Sequence, residues 1–179
     1  MNAETIDLKK NIELNGSELI NFINLNDDEK EMIRNWRNHE NVRNMMFSDH
    51  VITIEEHYKF IEGLRNEIKN FYWLVRKNRE NIGTISLNRV DFKNSNAYIG
   101  IYTNPYLSGM GRLLIECLKK LAFDVGKLHT LKLEVIEDNE KAINFYKKAG
   151  FKDEGRLKEF VFKTNKWLDV IVMGIINDV

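Results

Sequence analysis

The chain's one proline, Pro105, stands close behind an apolar run, Ala97 to Tyr102, in a sequence of 179 residues. Proline has no N–H to give to a ladder and biases the residue before it towards extended backbone, so Asn104-Pro105 ends a strand there. A strand that cannot continue its ladder leaves an edge for another group to use. Two more runs rich in β-branched and aromatic residues precede it, Phe71 to Arg76 and Ile82 to Val90. The polar turns Lys77-Asn78-Arg79-Glu80-Asn81 and Phe92-Lys93-Asn94-Ser95-Asn96 join the three into an antiparallel meander. Behind the proline, Ser108-Gly109-Met110-Gly111 leads into a helix over about 111–125 with Leu114, Cys117, Leu118 and Leu121 on one face. Glycine lets backbone approach a ligand, and the unpaired N–H groups and positive dipole end of a first helical turn suit a pyrophosphate. The same residues also make an ordinary strand-to-helix turn. The segment lacks the Gly-Lys-Ser/Thr of a Walker loop and the second half of a dinucleotide fingerprint, which excludes both of those nucleotide folds.

The flanking segments complete an alternating pattern. Leu19 to Leu25 reads as a strand, and Asn26, with Glu29 three residues on, caps a helix that ends near Arg37-Asn38-His39. Thr53-Ile54-Glu55-Glu56 is a capping box opening a helix over about 54–67, with Tyr58, Ile61 and Leu64 along one face. A strand from Thr130 to Val135, a helix from Asn139 to Lys148 closed by Gly150, and a hairpin (about 157–163 and 167–175) turning at Thr164-Asn165 follow. With 43% apolar residues and no linker or repeat, the expectation is one domain over residues 1–179, with residues 1–12 a frayed end. Lys+Arg and Asp+Glu both number 27, so no net field draws the chain to nucleic acid or anionic lipid. No apolar run approaches the roughly 20 residues of a membrane span. The polar start Met1-Asn2-Ala3-Glu4-Thr5 lacks a basic and then apolar leader, and the expected location is the cytoplasm. The lone Cys117 has no disulfide partner and sits on an apolar helix face, as core rather than nucleophile. His39, His50, His57 and His129 lack metal-ligand spacing, and no metal site is expected.

The segment Leu133 to Phe151 carries a resemblance. Its strand ending in Glu134-Val135, its Asn139-x-x-Ala142-x-x-Phe145-Tyr146 helix and its Ala149-Gly150-Phe151 exit resemble the second conserved block of the GNAT N-acetyltransferases. With the glycine loop and the element order, the resemblance covers roughly residues 18–176. In the family's loop a Gln or Arg is usual where this chain has Tyr106. The resemblance implies an α+β, three-layer fold: a mixed, mostly antiparallel seven-stranded sheet, four helices, and a splay between the fourth and fifth strands. It implies acetyl-CoA as co-substrate, its pyrophosphate on the backbone of Leu107, Ser108, Gly109, Met110, Gly111, Arg112 and Leu113. The pantetheine arm would lie along Ile101 and Tyr102, with Asn139 and Phe145 beside it, and an N–H near Ile101 or Tyr102 would receive the oxyanion. Tyr146 is implied as general acid towards the departing thiolate, against the alternative of a tyrosine that only packs its helix. Glu134 either accepts the amine proton or is a solvated residue on the polar face of an alternating strand. Asn139 also caps its helix.

The N-terminal half bears on the amine. Trp36-Arg37-Asn38-His39-Glu40-Asn41-Val42, Met45-Met46-Phe47-Ser48 and the stretch His57 to Leu64 resemble the GNAT enzymes of pseudaminic acid biosynthesis, as do Ile99 to Pro105 and Glu154 to Lys158. These acetylate the 4-amine of a UDP-linked 4-amino-4,6-dideoxy sugar. The resemblance implies such a sugar as partner, on Arg37, Met46, Phe47, His57, Phe60, Ser86 and Tyr102. These residue types offer a nucleotide sugar a cation, soft apolar surface and aromatic faces, though each is also at home in a core or at a solvated helix end. A polyamine or protein N-terminus is the competing acceptor. A polyamine site needs carboxylates, and residues 34–47 hold Arg34, Arg37 and Arg43 against Glu40 alone. A non-catalytic acyl-CoA-binding module is a third reading, opposed by Tyr146 in register with the motif. The expected assembly is a monomer or homodimer.

Overall fold

Two short local signals set the ends of the first helices. In the computed structural model of the protein, which describes residues 7–177, Asn26 and Thr53 each accept from the N–H three residues on. Glu29 and Glu56 return the bond to the cap backbone. They open α1 (Asp27–Asn38) and α3 (Ile54–Gly63), with a short α2 (Glu40–Arg43) between them. The other elements are β1 (Ile12–Leu14), β2 (Ser17–Asn21), β3 (Phe71–Lys77), β4 (Glu80–Asp91), β5 (Asn96–Thr103), α4 (Gly111–Lys120), β6 (Thr130–Ile136), α5 (Glu140–Lys148), β7 (Lys152–Lys163) and β8 (Lys166–Ile176). The strands form one sheet in the order β1-β2-β3-β4-β5-β6-β8-β7, and β5 with β6 is its parallel pair.

Period-two alternation gives each sheet face its own core. Trp73, Ile85, Leu87, Leu131, Leu133 and Met173 pack with Leu114, Leu118 and Leu121 on the α4 side. Ile20 and Leu74 pack with Ile33, Trp36 and Ile61 on the α1–α3 side. This is the expected three-layer α+β architecture, with two differences in the sheet.

The first is an eighth strand. Asn15 and Gly16 at φ 56° and 68° make a two-residue turn that folds Ile12–Leu14 back onto β2. The second is that the expected strand over 19–25 ends at Asn21, whose side chain accepts from Ile23 N and starts a 3₁₀ turn over Phe22–Asn24. Of the end expected to fray over 1–12, residues 1–6 lie outside the described residues. From Asp7 onward Leu8 is buried, and its carbonyl accepts from Asn21 Nδ2 at 2.9 Å. The expected helix over 111–125 changes pitch: Leu121–Val125 is a π turn, in which Gly126 N donates to Leu121 O at 2.8 Å. Among the described residues no helix is long and apolar enough to cross a membrane.

Two outcomes follow. A Cβ on Gly83 of β4 would lie 2.5 Å from Tyr102 O, 2.7 Å from Leu114 Cδ1 and 2.9 Å from Thr103 Cα. Gly83→Ala should therefore cost about 1–3 kcal/mol, read from the urea midpoint. His57 is 5% exposed between α1 and α3, and burial holds its pKa below the ordinary 6.5, although the Lys30 carbonyl opposes the shift. The fold keeps a neutral ring while the unfolded chain takes up a proton. Stability should fall as pH drops below about 6.5, and His57→Gln should flatten that slope in urea titrations at several pH values.

Candidate active site

β5 and β6 hold each other over only three residues, Asn96–Tyr98 against Thr130–Lys132. Beyond that point the strands part. On the β6 side, the backbone of Ile99 to Thr103 faces a wedge instead of a neighbouring strand, while its other edge stays paired with β4. Asn104 fixes the wedge's mouth: its N donates to Ile82 O at 2.8 Å, its Nδ2 to Asn81 O at 2.9 Å, and its Oδ1 accepts from Tyr106 N at 3.0 Å. Pro105 was the legible half of this stop. The three bonds of Asn104 were not.

The loop after Pro105 delivers α4 with an uncapped N-terminus. Met110 gives no side-chain cap and the first turn has no acidic residue, so its N–H groups and dipole end are available to an anion. Gly109 has φ 76° with open space where a Cβ would be, a conformation that favours glycine. Gly111 has a further reason to be glycine besides the one its sequence suggests: a Cβ there would lie 3.2 Å from Phe145 Cε2. Phe145 of α5 thus packs on the first turn of α4. The exposed Arg112 guanidinium pairs with Glu116 at 2.9 Å, leaving the backbone as the feature that faces the loop. Tyr106 is 74% exposed and sets its ring edge-on to His39 at 5.6 Å, directed to the α1 side instead of to the loop backbone. Cys117 is buried, and burial pushes its thiol up. Leu107 and Met110 pack against the α4-side core.

Asn139 caps α5 by accepting from Ala142 N at 3.1 Å. Two residues from the end of α5, Tyr146 lies between the rings of Phe145 (5.2 Å) and Phe151 (5.7 Å), and burial pushes its hydroxyl up to about 12. It is a protonated, desolvated donor at neutral pH.

The opposite sheet face brings together a polar set. The register aligns Tyr72 with Ser86, Ser86 with Gly100, and Thr84 with Tyr102, so these side chains share the α1–α3 face. Burial pushes the Tyr102 hydroxyl up to about 12, opposed by a bond with Thr84 and by the charge of Arg37. Arg37 Nη1 is buried with no hydrogen-bond partner, and burial, then the charge of Arg43, lowers its pKa against the pull of Tyr102. Ser86 Oγ accepts from Asn88 Nδ2 at 2.9 Å and lies where a Cβ on Gly100 would meet it at 2.7 Å. Phe60 stands edge-on to Tyr72 at 5.1 Å. Glu134 is not freely solvated: a bulge in β4 swings Arg89 over the Tyr98 ring (4.7 Å), and its Nη1 donates to Glu134 at 3.1 Å.

Met46 and Phe47 follow α2, and the Met46 carbonyl accepts from Lys163 Nζ at 2.6 Å. His57 is not brought to this set, because it is sealed in the α1–α3 seam beside Lys30 and Glu31. The spacing His57, Ile61, Leu64 would have shown it on the buried face. Tyr72, Arg89 and Lys163 were missed altogether, since only register and tertiary folding carry them to the site.

The arrangement offers a slot with unpaired strand backbone, an uncapped helix end at its mouth, a half-buried phenol on one side and a carboxylate on the other. The family model described as "Acetyltransferase (GNAT) domain" matches residues 20–172. Acetyltransferase PseH of Campylobacter jejuni is 35% identical over 80% of this chain and 90% of its own. The structure of that organism's N-acetyltransferase PseH with acetyl coenzyme A superposes with a TM-score of 0.73 at 27% identity, covering 90% of this chain and 99% of the other. Spermidine N-acetyltransferase of Vibrio cholerae, in complex with CoA and spermine, superposes with a TM-score of 0.81 at 24% identity, covering 91% and 96%. The family match over most of the sequence, and the parted strands behind it, place this chain in the GNAT acetyltransferase family.

Proposed function

We propose that this N-acetyltransferase moves acetyl from acetyl-CoA to the 4-amine of a UDP-linked 4-amino-4,6-dideoxy sugar, as in pseudaminic acid biosynthesis. The supporting observation is Arg37. Its guanidinium is half-buried, with Nη1 enclosed and unbonded and no ion-pair partner among the described residues, and it lies in a field shared with Arg43 and Lys163. A buried cation left unpaired is costly unless a ligand neutralises it, and a diphosphate does so with charge-assisted bonds. The likeness to Acetyltransferase PseH points the same way.

Acetyl-CoA supplies an activated acetyl thioester, and its fit rests on the unpaired backbone of Ile99 to Thr103 and the uncapped α4 terminus. Leu107 to Leu113 hold the pyrophosphate, Asn139 and Phe145 flank the pantetheine arm, and an N–H of Ile101 or Tyr102 receives the carbonyl oxygen. The amine nitrogen attacks the thioester carbon and the C–S bond breaks. Tyr146 gives its proton to the sulfur and Glu134, held by Arg89, takes the proton of the amine, directly or through water. The apolar surroundings that raise Tyr146 raise the basicity of a thiolate expelled beside it as well, which keeps the transfer from being steeply uphill. Arg37, Met46, Phe47, Phe60, Ser86 and Tyr102 line the acceptor side.

A spermidine-type acceptor is the second reading. A cleft of about 340 Å³ is lined by Asp28, Glu31, Met32, Asn35, Trp36 and Tyr106, and carboxylates beside an aromatic suit a polyamine. Glu31 is already paired with Arg34 at 3.0 Å, which removes one of the two charges.

Tyr146→Phe should lower kcat by about 10² or more with acetyl-CoA affinity nearly unchanged, measured by thiol release and by titration. Equal turnover would remove the acid role. Arg37→Ala should raise KM for the UDP-amino-sugar by roughly 10- to 150-fold, leaving KM for acetyl-CoA and turnover of a small uncharged amine in place. Preference of the wild-type enzyme for spermidine over every UDP-amino-sugar would transfer the assignment to the second reading.

A further inference from the structure

Lys163, the last residue of β7, is 8% exposed, which is rare for a lysine. Its ammonium has three protons, and three carbonyls receive them: Arg43 O at 3.3 Å, Asn44 O at 2.9 Å and Met46 O at 2.6 Å. These carbonyls close the C-terminal end of α2, where helix ends leave acceptors unsatisfied and favour a cation. The hairpin aims the lysine there. Thr164 and Asn165, at φ 50° and 60°, make a two-residue turn, and a register shift between Leu157 and Val161 bends β7 before it.

The segment reached by Lys163 has little else to hold it. Met45 is half exposed and Phe47 is 37% exposed, and beyond Met46 the segment's bonds up to His50 are His50 N to Ser48 Oγ at 3.3 Å and, at its far end, the His50 ring with Glu56 of α3 at 3.0 Å. The same ammonium lies in the field of Arg37 and Arg43, with Asp49 opposing them, so the segment is pinned beside the unpaired guanidinium.

We propose that Lys163 is a positioning residue for the amine acceptor: its three bonds fix residues 43–47 so that Met46 and Phe47 form the wall of the acceptor site next to Arg37. This rests on the reading that the acceptor occupies the α1–α3 face, whatever amine it is. Lys163 touches neither acetyl-CoA nor the reacting atoms. It acts through the segment it holds.

The test uses the full chain and whichever amine the wild-type enzyme acetylates best. Lys163→Met should raise KM for that amine about tenfold or more, leave KM for acetyl-CoA within twofold, and speed hydrogen exchange of the amides of residues 44–50. Phe47→Ala, a change on an exposed side chain, should raise the amine KM as well. The double variant should be no worse than the poorer single one, since both remove the same wall. Independent, multiplying effects would overturn the proposal, as would faster exchange at 44–50 with an unchanged amine KM. If Lys163→Met fails to fold, Phe47→Ala decides alone, and an unaltered amine KM sinks the idea. A wild-type enzyme that ignores UDP-amino-sugars but acetylates another amine would refute the sugar assignment and leave this test intact.

Discussion

Everything in the structure is arranged around backbone groups that have lost their strand partner. A buried N–H or C=O must be paired, and along Ile99 to Thr103 the sheet declines to pair one whole edge. The parting is held from both sides. β5 stays bonded to β4 as far as Thr103, and β6 is tied to β8 over seven residues, from Thr130 with Ile176 to Ile136 with Val170. Each strand therefore follows its outer neighbour where the two part. Asn104 and Pro105 then prevent β5 from continuing, and Gly83 lets Leu114 press α4 against the strand that has been left open.

The two sides of the wedge differ electrostatically. On the α5 side the polar group is a phenol wedged among Phe145 and Phe151, held neutral by its surroundings. On the α1–α3 side lie Arg37, Arg43 and Lys163, and an Arg89–Glu134 pair. A second desolvated phenol, Tyr102, belongs to the cationic side, since odd and even residues of β5 face opposite ways. One strand thus serves both halves of the site: Ile101 packs with the α4-side core, while Tyr102 packs with the α1–α3 side.

What was legible in the sequence was local. Asn26 with Glu29 and Thr53 with Glu56 act over four residues, and their caps stand where the spelling put them. Asn139 and the Thr164-Asn165 turn are of the same kind. The Asn15-Gly16 pair is itself a hairpin signal, but a three-residue strand before it is too short to show alternation. The face of α3 was read one position off: Ile61 and Leu64 share their buried stripe with His57, while Tyr58 is half exposed under the Lys30 ammonium. Histidine's polarity concealed a core position. Gly111 carries a second demand that its loop does not spell out, since a Cβ there would press on a phenylalanine 34 residues later. The π turn and the reach of Lys163 have no spelling at all, because they follow from how packed elements meet.

The three bonds of Lys163 span 117 to 120 residues. Closing a loop of that length costs entropy that only neighbouring contacts can offset, so these bonds come late in the order of folding. On a ribosome, residues 43–47 emerge long before residue 163, and until the β7–β8 hairpin arrives the segment has no Lys163 to close it. The stop at Asn104 draws on Asn81, Ile82 and Tyr106, at most 23 residues away. The backbone of residues 43–47 therefore waits for the β7–β8 hairpin, whereas the turn that stops β5 is made from contacts much nearer in sequence.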